Sequence, residues 1–156
     1  MDSVTYLEQI KKLDRMIQNK QNEYVRWKET AKGITSASQS VLIERKINGQ
    51  KKLELQNMER VQGSASGDKI GVAVAEYTTL ETEIEELKTK RRNIIQTIEL
   101  LNYDEYDLLY QVYVNYFTIK AVASFNYKSN SWAVKTHKRA LKHLQIILDE
   151  REKQKK

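Results

Sequence analysis

Between Thr118 and Leu148 the sequence carries six basic residues, Lys120, Lys128, Lys135, Lys138, Arg139 and Lys142, and no acidic one. A run of one sign on helical spacing attracts polyanions, whereas a merely solvated face mixes both signs, as Glu81 to Arg92 does here. Lys120, Lys128, Lys138 and Lys142 are placed to neutralise phosphates. Asn130, Ser131, Lys135 and Arg139 are the candidates for base-edge contacts, and Lys135, Lys138 and Arg139 have no attractive buried role. His137 is spaced from Ala133, Ala140 and Leu144 so as to lie near an apolar face, which favours a half-buried role. Trp132, at the start of the same helix, is read as a clamp on the preceding helix. Tyr103, Tyr106, Tyr110 and Tyr113 have helical spacing and are read as packing groups.

Other chemistry finds little support. The 156 residues include no cysteine and two histidines, which excludes a thiol nucleophile, a disulfide framework and a Cys-ligated metal, and disfavours a His cage. Gly63 to Lys69 (GSASGDK) suggests a phosphate loop but lacks the Gly-Lys-Ser/Thr ending and a preceding strand. No nucleophile stands beside a base and no paired carboxylates sit on a recognisable scaffold, so neither enzymatic activity nor a cofactor or metal is expected. No apolar run approaches the roughly 18 residues that cross a bilayer, and MDSVTYLEQIKKLDR lacks a signal-peptide core. A cytoplasmic protein is expected.

The elements that must hold the basic run follow from periodicity. With no proline and five glycines, the chain suits long helices, since proline inside a helix costs about 3 kcal/mol. Tyr6, Ile10, Leu13, Ile17, Lys20, Tyr24 and Trp27 alternate at four and three, predicting a helix from Val4 to about Ala31. Residues 32–67 read as a loop or one or two short helices, completing an N-terminal region 1–67. From Asp68, a candidate N-cap, the same alternation runs through Ile70, Ala73, Tyr77, Leu80, Ile84, Leu87, Arg91, Ile94, Ile98 and Leu101, predicting one helix over 68–102. Its narrow seam must be covered by the first helix or by a second copy of the chain, and an intramolecular hairpin is favoured over a homodimer because a partner of suitable length is at hand. Residues 103–156 form the last region. A helix from Tyr103 to Val114 presents Leu109, Val112, Tyr113 and Tyr116, and after a break Thr118 caps a short helix with Ile119, Val122 and Ala123 inward. A turn over Asn126 to Ser131 leads into a helix reaching about Lys153, which buries Ala133, Thr136 or His137, Ala140, Leu144, Ile147 and Leu148. The fold class is all-α: long, coiled-coil-like amphipathic helices followed by a C-terminal helix-turn-helix, whose second helix would lie in the major groove.

LLYQVYVNYFTIKAVASFNYKSNSWAVKTHKRALKHL resembles the region-four helix-turn-helix of sigma-70 factors, and more closely that of phage late-gene transcription regulators of the ArpU and RinA type. The likeness rests on Leu108-Leu109, Tyr113-Val114, Thr118 with Val122-Ala123, Tyr127, Trp132, His137 and Arg139-Ala140-Leu141, and extends upstream to Glu59. Val112 stands where the family commonly has Arg. The resemblance implies a phage-encoded, sequence-specific regulator in a bacterial host, binding double-stranded promoter or control DNA and activating late, packaging or lysis genes. Whether such a regulator acts by touching host RNA polymerase is left open by the resemblance. Two other readings stay open: a small terminase subunit, whose DNA-binding module usually comes first rather than last, and a helical protein-interaction module acting on RNA polymerase.

Overall fold

The computed structural model describes residues 1–48 and 66–156, and within them the chain is helical with no strand. Helix α1 spans Ser3–Asn48, α2 Ser66–Ile98, α3 Tyr103–Leu109, α4 Ile119–Phe125 and α5 Asn130–Gln154, with a π-helical turn over Tyr110–Val114 between α3 and α4. The fold is all-α. Helix α1 continues through residues 32–48, where the Ser/Thr-rich sequence suggested a loop or short helices. Serine and threonine are only mildly unfavourable in a helix, and the single Gly33 costs about 1 kcal/mol, so without proline nothing there forces an end. The remainder of that expected linker, including LELQNMERV, lies outside the described residues. Asp68, the candidate N-cap, instead lies inside the first turn of α2, which begins at Ser66, where a negative charge suits the positive end of the helix dipole.

The chain divides into two compact units, Gln18–Glu85 and Met1–Ile17 with Glu86–Lys156. In the first, the segments of α1 and α2 run antiparallel. Lys20 Nζ meets Glu83 Oε2 at 2.6 Å, and Tyr24 packs edge-on against Tyr77 with ring centroids 5.9 Å apart, so the numbers rise along one helix as they fall along the other. Ala73 and Ile84 are buried here.

The second unit begins in the same antiparallel manner, with the Tyr6 hydroxyl 3.0 Å from Thr97 Oγ1 and Arg91 Nε donating to Asp14 Oδ1 at 2.6 Å. The two polar residues that interrupt the heptad stripes, Lys20 and Arg91, thus each find a carboxylate. Leu7, Ile10, Ile94 and Ile98 form one core with Leu109, Val114, Ala140, Leu144 and Leu148. Helix α2 ends at Ile98, and a tight turn, with Leu101 N–H donating to Ile98 O at 3.1 Å, brings the chain to Asn102. The side chain of Asn102 caps α3 by accepting from Glu105 N–H at 3.0 Å. The helix expected over Tyr103 to Val114 therefore begins as predicted and widens into the π-helical turn, closed by Asn115 N–H donating to Tyr110 O at 3.2 Å. A break follows at Asn115 to Phe117.

Candidate nucleic-acid interface

Thr118 and Ser129 set the two helices that carry the basic residues. Both are extended, and each side chain accepts from a backbone N–H three residues on, Ala121 at 3.1 Å for Thr118 and Trp132 at 3.1 Å for Ser129, which satisfies one orphan donor of each helix. Val122 and Ala123 of α4 pack with Ala133 of α5 and Leu108 of α3, and Ile119, Val112 and Trp132 close the edges of this second core. Trp132 is thus half-buried between α4 and α5. The turn between them is closed by Lys128 N–H donating to Ala123 O at 2.9 Å, with Tyr127 in the left-handed region at φ 54°.

Helix α5 has a sharply divided surface. Ala133, Thr136, Ala140, Leu144 and Leu148 are buried, and Ile147 is half-buried. Ser131, Lys135, Lys138 and Lys142 follow at spacings of four, three and four, which aligns them along one stripe opposite the buried face, and all four are exposed. Lys120, Lys128 and Asn130 are exposed as well. Lysine in such a stripe presents a flexible point charge that suits phosphate without demanding a fixed fork geometry.

Arg139 departs from the expectation that it has no inward role. Its Nε donates to Glu105 Oε1 at 2.9 Å, and His143 Nδ1 lies 2.9 Å from the same carboxylate. The Glu105 side chain is 1% exposed, against 52% for Arg139 and 47% for His143, so the two α5 groups reach down to a carboxylate that has no access to water. A buried carboxylate is costly unless paired and hydrogen-bonded, and this pairing fixes the rotation of α5 on α3. Arg139 and His143 lie on the flank of α5 between the lysine stripe and the buried face, which is why helical spacing alone left Arg139 looking outward. Glu105 itself reads in the sequence as one more acidic residue at a helix start.

The aromatic groups sort similarly. His137 is half-buried and stacks on Tyr113, rings 5.9 Å apart, with Nε2 3.0 Å from the Tyr113 hydroxyl; burial pushes its pKa down. Tyr106, Tyr110 and Tyr113 pack against the first core, whereas Tyr103 is exposed. Tyr116, expected on the apolar face, is exposed at φ 61°, and its hydroxyl donates to Asp14 Oδ2 at 2.5 Å. Local desolvation of the hydroxyl and its bond to the carboxylate push the phenol pKa up to about 12, although the residue as a whole is exposed.

Among the described residues no group of three His, Asp or Glu could hold a metal ion, and no helix is long and apolar enough to cross a membrane. No protein-family model, curated protein or solved structure matches the chain.

Proposed function

We propose that the protein is a sequence-specific, double-stranded-DNA-binding transcription regulator, with α4 and α5 as a helix-turn-helix and α5 as the recognition helix. The observation that carries this reading is the exposed stripe Ser131, Lys135, Lys138 and Lys142, set opposite the buried face of α5 in a stretch with no acidic residue from Thr118 to Leu148. Lys120, Lys128, Lys138 and Lys142 neutralise phosphates and set the register, while Asn130, Ser131 and Lys135 face base edges. Arg139 joins them through its position rather than by its Nε, which is engaged by Glu105. The resemblance to phage late-gene regulators supports the same reading and adds a bacterial host, whose RNA polymerase is a candidate second partner.

The test is a selection from a pool of duplexes with a randomised core of roughly 20 base pairs, about two turns of B-DNA, followed by salt titration of the winning duplex against its shuffled counterpart. About five neutralised phosphates give a slope of log affinity on log salt near −4 to −5, and Lys135→Ala with Lys138→Ala, which removes one base-edge and one phosphate contact, should flatten it by about 1 and erase the preference for the selected sequence. A slope near zero, with equal affinity for both duplexes, would overturn the proposal.

A further inference from the structure

Beside the lysine stripe lies a second exposed feature that duplex reading leaves unused. Phe117, just before α4, and Phe125, its last residue, meet edge to face with ring centroids 5.1 Å apart, yet remain 42% and 57% exposed. Two residues on, Tyr127 is 97% exposed, so its ring rests on nothing in the protein. Its backbone is nevertheless fixed: Tyr127 N–H donates to Ser124 O at 3.2 Å, Lys128 N–H to Ala123 O at 2.9 Å, and Asn126 Nδ2 to Val122 O at 2.9 Å. A tyrosine held at φ 54° occupies a conformation that glycine or asparagine adopts more readily, and no side-chain packing offsets the strain.

Three exposed rings in a stretch of sequence that also carries the exposed Lys120 and Lys128, with no carboxylate from Thr118 to Leu148, are the composition of a surface that stacks bases while cations hold the backbone. A fully paired duplex offers only base edges, because the faces are covered in the stack. Rings at this position gain a partner where a base has left the stack. Building on the duplex-binding reading above, we propose that Phe117, Phe125 and Tyr127 form a stacking platform for unpaired bases, so that the protein prefers DNA in which duplex adjoins a short unpaired stretch. Charge argues for a nucleic acid over a protein partner: the stretch from Thr118 to Leu148 carries only cationic charged groups, and Asp14, beside Phe117's neighbour Tyr116, is engaged by the Tyr116 hydroxyl.

The experiment compares, at matched salt, a fully paired duplex with the same duplex carrying a short central mismatch bubble. Wild-type protein should bind the bubble about tenfold or more tightly, as expected from the worth of one base stacked on an aromatic ring. Phe125→Ser and Tyr127→Asn should each lose most of that preference while keeping affinity for the paired duplex within about twofold, and Tyr127→Phe should retain the preference because it keeps the ring. Asparagine tolerates the left-handed backbone, and thermal melts of each variant verify that α4 and α5 remain folded. Equal affinity for the two DNAs, or a bubble preference that survives both substitutions in folded protein, overturns the platform while leaving duplex binding intact. Salt-insensitive, feeble binding to both DNAs overturns the duplex reading and the platform with it.

Discussion

Glu105 has no water to turn to, and this makes its two partners unequal to it. Arg139 and His143 are each about half-exposed, so if Glu105 is lost they are rehydrated, whereas loss of Arg139 leaves a buried carboxylate with one remaining partner. Arg139→Ala should therefore cost about 2 to 3 kcal/mol in chemical denaturation, Glu105→Gln less, and the double substitution clearly less than the two costs added together. Additive costs would show that the two groups do not act on each other. The same asymmetry bears on function: a fall in DNA binding by Arg139→Ala mixes lost folding with lost contact, while Lys135 and Lys138 can be removed from the exposed stripe without disturbing a buried charge. The sequence could not reveal this. A carboxylate at a helix start has an ordinary explanation in the helix dipole, and only the approach of α5 from more than thirty positions away turns it inward.

At the scale of elements, what was legible is what local chemistry decides. The heptad stripes of α1 and α2 reappear as their buried or half-buried positions, and Thr118 caps the short helix as its type and place suggested, whereas Ser129 caps α5 from within the stretch read as a turn. The continuation of α1 to Asn48 was not legible, because Ser, Thr and Gly weaken a helix without ending it; nor was the π-helical turn, whose extra residue per turn leaves no mark on composition. The lysine stripe was legible because its spacing follows from the helix itself, and the inward turn of Arg139 was not, because its partner lies on another helix. The glycines of the long helices make a direct test. Gly33 in α1 and Gly71 in α2 have nothing within 4 Å of where a Cβ would stand. Alanine there removes backbone freedom from the unfolded chain without a clash, so Gly33→Ala and Gly71→Ala should each stabilise the protein by about 0.5 to 1 kcal/mol, read from denaturation followed by helical circular dichroism. A loss of stability at either site would mean that the helix does not run through that glycine.

Across the whole molecule, the unit that carries the proposed interface is wider than its motif. Sequence pattern drew its boundary at Tyr103, yet the compact unit joins Glu86–Lys156 to Met1–Ile17. Leu7 and Ile10 are wholly buried in the same core as Leu144 and Leu148, and Gln145 of α5 accepts from Ser3 N–H at 2.8 Å and donates to Met1 O at 3.1 Å. A heptad states that a face must be covered but not by what, so contacts between the first residues and α5 lay beyond periodicity. Two tryptophans allow this dependence to be measured within the intact chain, because Trp27 belongs to the other unit and Trp132 to this one. In a Trp27→Phe background, Trp132 fluorescence reports unfolding around α4 and α5 alone. Leu7→Ala or Ile10→Ala deletes buried methyl groups far from Trp132 in sequence, and each should lower the stability seen by Trp132 by about 2 to 5 kcal/mol. DNA affinity should then fall in proportion to the unfolded fraction, without change in its salt slope, since no phosphate contact is removed. An unaltered Trp132 transition would mean that the helices of the proposed interface hold together without the N-terminal segment, and the working module would then contract toward the boundary at Tyr103.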